Sequence, residues 1–312
     1  MGVMEKALIV ARKEIAENLK SVRYWAIIGL FVLLYIASTY AIGFAVRGFG
    51  GLAIGGRART VLQLSNQVVN ALTYIAPLLG IALGFGAIAA EREKGTIRLV
   101  LARPIYRDDL INGKLIAAVA LIVLAIALST ALAVPLAVAL QNVNVTSEDF
   151  TRLALLVLPA TLLALAFYAL SLFASVNAGR SSHALVVSLV LWIFFTFILP
   201  IIAAFIAFQI LGPPPAIPFN ATRPFGQGLP RQLQEYFTRY NQVVSSIQLV
   251  SPTARFSSLA SALFALRPQS DVYEELATAL ARRWIDVAVL ATYIAVFLIA
   301  SYIVFLRRQE TR

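Results

Sequence analysis

Between Glu91 and Lys114 the chain reads EREKGTIRLVLARPIYRDDLINGK, with six basic side chains (Arg92, Lys94, Arg98, Arg103, Arg107, Lys114) and four acidic ones (Glu91, Glu93, Asp108, Asp109). Strongly apolar runs flank it on both sides. Charge at this density cannot sit in hydrocarbon, so the segment must project into water. It lacks the parts for nucleotide chemistry. Its one Gly-Lys pair, Gly113-Lys114, has neither the upstream glycine nor the following Ser or Thr of a phosphate loop. Elsewhere there is no HExxH, and the single histidine, His183, stands beside Ser181 and Ser182 at the edge of an apolar run, where an interfacial or packing role is expected. With no cysteine there is neither a disulfide nor a thiolate metal site. What the segment can do is dock. Ile97, Leu99, Val100 and Leu101 form a short apolar strip bracketed by Gly95 and Pro104, which a loop that only reversed the chain would not need. It is expected to meet a partner on the cytoplasmic side.

The elements around it follow from composition. The chain has 312 residues, 60% hydrophobic and 13% charged, with a mean hydropathy of +0.83. A soluble domain is about 45–50% apolar and about 25% charged. Several windows approach the roughly 20 apolar residues that an α-helix needs to cross a bilayer, so the expected class is all-α and polytopic, with six transmembrane helices. Residues 1–24 are expected as a basic amphipathic helix, with Met4, Leu8, Ala11, Ile15, Leu19 and Val22 on one face, suited to a membrane surface or to a partner. The spans are placed at Trp25–Val46, Ala71–Ala90, Leu115–Leu140, Phe150–Val176, His183–Leu211 and Trp284–Leu306. The glycine-rich stretch from Arg47 to Asn70 reads as an external loop. Gly80 and Gly84, four residues apart, favour close helix packing over a ligand role. The long stretch 212–283 begins with a proline-rich linker. It continues with helical spacing at Leu233, Phe237, Tyr240, Val244 and Ile247, expected to end at Ser251-Pro252, and with a helical piece from Asp271 to Arg283. Tyr236, Phe237 and Tyr240 fit either an external substrate surface or a helix packed back on the bundle.

The short segments assigned inside carry fifteen basic residues against four outside. That bias places both termini and Glu91–Lys114 in the cytoplasm of a plasma-membrane protein. The net charge of +11 is then a membrane-flank feature and calls for lipid, not nucleic acid, as a partner. The spans hold almost no ionisable side chains, Asp286 and the boundary residue Arg152 excepted. Ion-coupled carriers and intramembrane proteases place such groups inside the bundle. Any uphill movement must therefore draw its free energy from another polypeptide.

Glu91-Arg-Glu-Lys-Gly95-Thr96, then Leu99, Leu101, Arg103-Pro104, Arg107 and Gly113-Lys114, resembles the loop between the second and third spans of type-2 ABC exporter permeases. The nearest branch is the one containing the permease of the nitrous-oxide-reductase maturation system. The layout is similar along nearly the whole chain, although 212–283 is long for the family. The resemblance implies an ATPase-coupling site made of Glu91, Arg92, Glu93, Gly95, Thr96, Ile97, Leu99, Leu101, Arg103 and Pro104, with Gly95 to Ala102 as a coupling helix seated in an ATPase groove. Asp108 or Asp109 would cap the helix that enters the third span. It also implies a second permease copy or homologue and two ABC ATPase subunits, with ATP and Mg bound in those subunits and no cofactor, metal or catalytic residue in this chain. The other reading kept open is a non-transporting scaffold or force-transmitting subunit whose 212–283 segment binds an extracytoplasmic partner.

Overall fold

A computed structural model describes residues 3–48, 57–95, 107–141, 146–215, 230–266 and 273–307, with the backbone path alone for 38–48 and 57–64. Among them the structure is helical, apart from one isolated bridge between Leu266 and Tyr273. Five helical stretches are long and apolar enough to cross a membrane: Ser65–Glu93, Asp108–Leu136, Ser147–Asn177, Ser181–Leu211 and Trp284–Arg307. Where lipid excludes water, each backbone N–H and C=O must find its partner within the segment, which a helix provides. The expected first span lies in a 27-residue helix, Val22–Gly48, whose described apolar part is the shorter stretch Val22–Leu34.

The helices are α1 (Val3–Leu19), α2 (Val22–Gly48), α3 (Arg57–Gly84), α4 (Ala89–Glu93), α5 (Arg107–Gln141), α6 (Ser147–Leu155), α7 (Val157–Asn177) and α8 (Ser181–Ile193). A π-helical turn, Phe194–Ile198, leads into α9 (Leu199–Leu211). Then come α10 (Arg231–Ile247), α11 (Pro252–Leu263), α12 (Leu276–Ala281) and α13 (Trp284–Arg307).

The bundle is built around α7. It packs against α3 and α13, and also against α5 and α8. Small residues on α7 and glycines on α3 allow the closest of these approaches. A Cβ at Gly80 would lie 2.1 Å from the carbonyl oxygen of Ala164, and one at Gly84 would lie 2.8 Å from that of Tyr168. The spacing seen in the sequence is therefore a packing motif. Beside it the Ser171 hydroxyl donates to the Ile81 carbonyl and accepts from Ser188 of α8.

Several sequence expectations are corrected. Arg57–Asn70 is not loop: α3 begins at Arg57, directly after the last glycine of the cluster, and Ser65, Gln67, Val68 and Val69 are buried. Without glycine or proline, nothing in that stretch opposes a helix once one face can pack. Asp108 and Asp109 occupy the first turn of α5 instead of preceding it; there they suit the positive end of the helix dipole. The fourth span is broken at Leu156 into α6 and α7, and α6 carries a capping box in which Thr146 and Asp149 bond each other reciprocally. The helical piece expected from Asp271 forms only from Leu276, because Tyr273 is drawn aside to donate to Asp149 at 2.8 Å. Burial and that carboxylate together hold the Tyr273 phenol above the usual tyrosine range, so it stays a donor.

The main correction concerns Ser251-Pro252. It ends α10 and its short 3-10 extension, but it also starts α11, with Ser251 as N-cap and Pro252 in the first turn. α10 lies along α9, held by the Tyr236 hydroxyl, which donates to the Gly212 carbonyl at 2.7 Å; within α10 the Tyr236 ring stacks on Tyr240. Of the three aromatics, Tyr236 is tied back to the bundle and Tyr240 is half-buried, while Phe237 is exposed. The chain thus returns to the level of Phe195 and Tyr293, each near the middle of its span, before α11 turns back between α3, α7 and α13. Pro200 explains the meeting point. It has no N–H to give to the preceding turn, and the Phe195 carbonyl accepts instead from the hydroxyls of Ser251 and Thr253. The base of α11 is fastened by Arg255 and Ser258 to Asp286, each at 2.8 Å. Its end is fastened by Arg152, which donates to the Leu263 and Glu274 carbonyls and lies over the Tyr273 ring. The two ionisable residues conspicuous in the sequence, Asp286 and Arg152, thus hold this segment in place.

Candidate functional site

The charged segment leaves the bundle through α4; its first described part ends at Gly95, and its second begins at Arg107 in α5. At Gly95 the backbone takes φ +69°, a region that glycine enters without penalty, and the Gly95 N–H closes back on the Arg92 carbonyl. Thr96, Ile97, Leu99, Leu101, Arg103 and Pro104, six of the ten expected coupling residues, lie outside the described residues. The four that are described, Glu91, Arg92, Glu93 and Gly95, form the root from which the others extend.

That root is clamped on two sides. On one side it meets the junction of α7 and α8. The Ser175 hydroxyl accepts from the N–H groups of Ile88 and Ala89, at 3.1 and 2.9 Å, and so satisfies donors that a helix start leaves open. Arg92 reaches the other way and donates to the carbonyls of Val176 and Ala178, at 3.2 and 2.8 Å, which α7 leaves open at its end. Glu93 accepts from the backbone N–H and the hydroxyl of Ser181 at the start of α8. Three consecutive charged residues of the EREK run thus have separate assignments, and two of them tie α4 to a single turn.

On the other side stands a buried ion triad. The Lys114 ammonium of α5 lies 2.8 Å from Glu91 and 2.7 Å from Glu14 of α1, and its side chain is 4% exposed. Glu14 reaches it because α1 lies against α5 at short range. A Cβ at Gly113 would stand 2.6 Å from the Val10 Cβ and 2.7 Å from the Ala7 carbonyl oxygen. The buried face of α1 is accordingly Ala7, Val10 and Ala11, while Leu8 is exposed. Of the face expected from the sequence, Ala11 is buried and Ile15 and Leu19 pack against the core, whereas Leu8 and Val22 are exposed. Ala7 and Val10 join that face, and the close approach at Gly113 brings Glu14 to Lys114. The Trp25 indole donates to the Leu19 carbonyl at the end of α1, and the Tyr24 hydroxyl donates to the Leu121 carbonyl of α5, fixing the bend between α1 and α2.

Glu14, Lys114, Ser175 and Ser181 are functional neighbours that site prediction from sequence did not include. Gly113-Lys114 was visible as a motif, but nothing local names Glu14 as its partner. At the same end of the bundle the Tyr302 hydroxyl donates to the Asp108 carbonyl. The N-terminal helix, the root of the charged segment, the turn after α7 and the last turns of α13 are therefore gathered together, and α11 with its fastenings lies at the opposite end. Among the described residues no group of three or more metal-ligating side chains forms.

The sequence profile described as ABC-2 family transporter protein matches residues 8–309, nearly the whole chain. The chain belongs to that family. Among its relatives is a protein of Pseudomonas aeruginosa named as a probable ABC transporter permease protein NosY, 32% identical over 192 residues, which cover 60% of this chain and 65% of the relative. A second, of Stutzerimonas stutzeri and with the same name, is 26% identical over 202 residues, covering 64% of this chain and 70% of the relative. The matched stretch thus spans just under two thirds of the first relative's length. Both likenesses agree with the resemblance carried by the Glu91–Lys114 motif. As a member of this family with five apolar candidate spans, the chain is a multi-pass membrane protein.

Proposed function

We propose that this chain is the permease subunit of an ATP-driven exporter, moved by separate ATPase subunits that dock against Glu91–Lys114. The reading takes six spans, both termini in the cytoplasm of the plasma membrane, a second permease copy or homologue, and two ATPases that hold ATP and Mg. This chain supplies no nucleotide chemistry. Its part is mechanical: closure of the ATPases on ATP pushes the apolar strip Ile97–Leu101, and the push enters the bundle at α4.

The observation that supports this most is the double clamp at the root of the strip. A loose loop would absorb a push. Here Arg92, Glu93 and Ser175 pass it to α7 and α8, and Glu91 passes it through Lys114 to α5 and α1. α7 in turn contacts α3, α5 and α13, so displacement of α4 reaches most of the bundle. Rigid elements rearranged as units are the ordinary means by which such a pathway switches.

Because the chain contains no cysteine, a single one introduced as Thr96→Cys reports position directly. It should react with a membrane-impermeant maleimide only after the inner face is opened, and co-expression of the ATPase should shield it. Labelling from outside intact cells would overturn the proposal.

A further inference from the structure

α8 and α13 flank α7, and between them lies a groove of about 470 Å³. Its apolar walls are Phe173 of α7, Val187 and Leu191 of α8, and Phe297 of α13; at one end it turns polar, with Asn177 and His183. α8 sits at the edge of the bundle, since only 6% of the apolar window of Ser181–Leu211 is buried. The groove therefore opens sideways, towards lipid.

Next to its polar end stands a fixed positive charge, Arg180, which lies in the chain between the lining residues Ala178 and His183. Arg180 and His183 are exposed and both act on Glu93, but that carboxylate is already engaged by the backbone and hydroxyl of Ser181. Exposed Lys94 stands next to it in the chain. An apolar slot in the depth of a span, ending in cations at the membrane surface, matches a molecule with a hydrocarbon chain and a negative head. A soluble anion would leave the slot unfilled, and an apolar peptide would leave the cations unanswered.

We propose that this groove is a binding site for an anionic phospholipid. One acyl chain lies along Phe173, Val187, Leu191 and Phe297, and the headgroup phosphate meets Arg180 and His183. Arg180 supplies a fixed charge and the geometry to pair phosphate oxygens, and His183 supplies a second donor. The assignment does not depend on which face of the membrane this end occupies, nor on the ATPase docking proposed above.

Native mass spectrometry of the purified, delipidated full-length chain tests it, with dioleoylphosphatidylglycerol and dioleoylphosphatidylethanolamine as the titrated lipids. The anionic lipid should bind about five- to tenfold more tightly. Arg180→Gln should reduce that preference, and Arg180→Glu with His183→Glu should abolish it while the neutral lipid still binds. Val187→Trp, which fills the slot, should lower the uptake of both. Equal uptake of the two lipids, or a preference that survives both sets of headgroup variants, would overturn the proposal. So would unchanged uptake in Val187→Trp. Elution volume and helical content serve as the folding control, and Arg180→Gln, an exposed and conservative change, keeps the test decisive if the double variant misfolds.

Discussion

Lys114→Met is expected to destabilise the purified chain by about 3–5 kcal/mol, the cost of removing one partner from a buried ion pair. Methionine nearly fills the same volume, so packing changes little. What changes is that Glu14 and Glu91, whose side chains are only 19% and 17% exposed, then face each other without a counter-ion. Residual exposure lets water or a proton relieve part of the strain, which argues for the lower end of that range. The visible consequences should be a lower thermal unfolding midpoint in detergent and early proteolytic release of α1. A compensated variant separates charge from shape. Glu14→Gln and Glu91→Gln added to Lys114→Met should restore most of the loss, since a buried charge set replaced by neutral groups of similar volume is often near neutral in stability. If Lys114→Met unfolds like the parent chain, the triad does not hold α1.

The second large effect is expected from one methyl group. In Gly80→Ala the new Cβ would stand 2.1 Å from the Ala164 carbonyl oxygen and 2.9 Å from the Tyr168 nitrogen. Both obstacles are backbone atoms of α7, so no side chain can swing aside. α3 and α7 must separate, loosening the contact around which the bundle is assembled. Overpacking commonly costs about 1–3 kcal/mol and sometimes more. With rigid backbone on the far side, this site should reach or exceed the top of that range, seen as loss of the monodisperse protein on gel filtration. Gly86→Ala is the control on the same segment. Its Cβ would meet only the Ala90 methyl at 3.6 Å, an ordinary contact, and the protein should be recovered normally. Equal recovery of the two variants would mean that α3 and α7 are not packed this closely.

What the sequence made legible was whatever depends on local spacing. Gly80 and Gly84 announced a close approach, and the mixed charge of the EREKG run a segment that leaves the bundle for water. Contacts between distant residues left no local trace. Glu14 looks like any acidic residue on an amphipathic helix, and its role arises only because Gly113 admits α1 against α5. Ser175 and Ser181 likewise read as ordinary small polar residues until α4 is placed beside them. The stretch Arg57–Asn70 was misread because the preceding glycines coloured it, whereas helix formation there depends on a packing partner. α11 was missed because a proline was taken as a stop when it sits in the first turn of a new helix. The coupling residues from Thr96 to Pro104 rest on the motif alone, and only their root is in view.

The central claim is that a separate ATPase grips the apolar strip beyond Gly95. The most direct measurement is co-purification of the chain with a co-expressed ABC ATPase subunit, comparing the parent with Ile97→Asp, Leu99→Asp and Leu101→Asp combined. The account predicts that the parent retains the ATPase, while the triple variant still inserts and elutes as a folded protein but loses the ATPase. Undiminished association in the triple variant, with both chains folded, would contradict it.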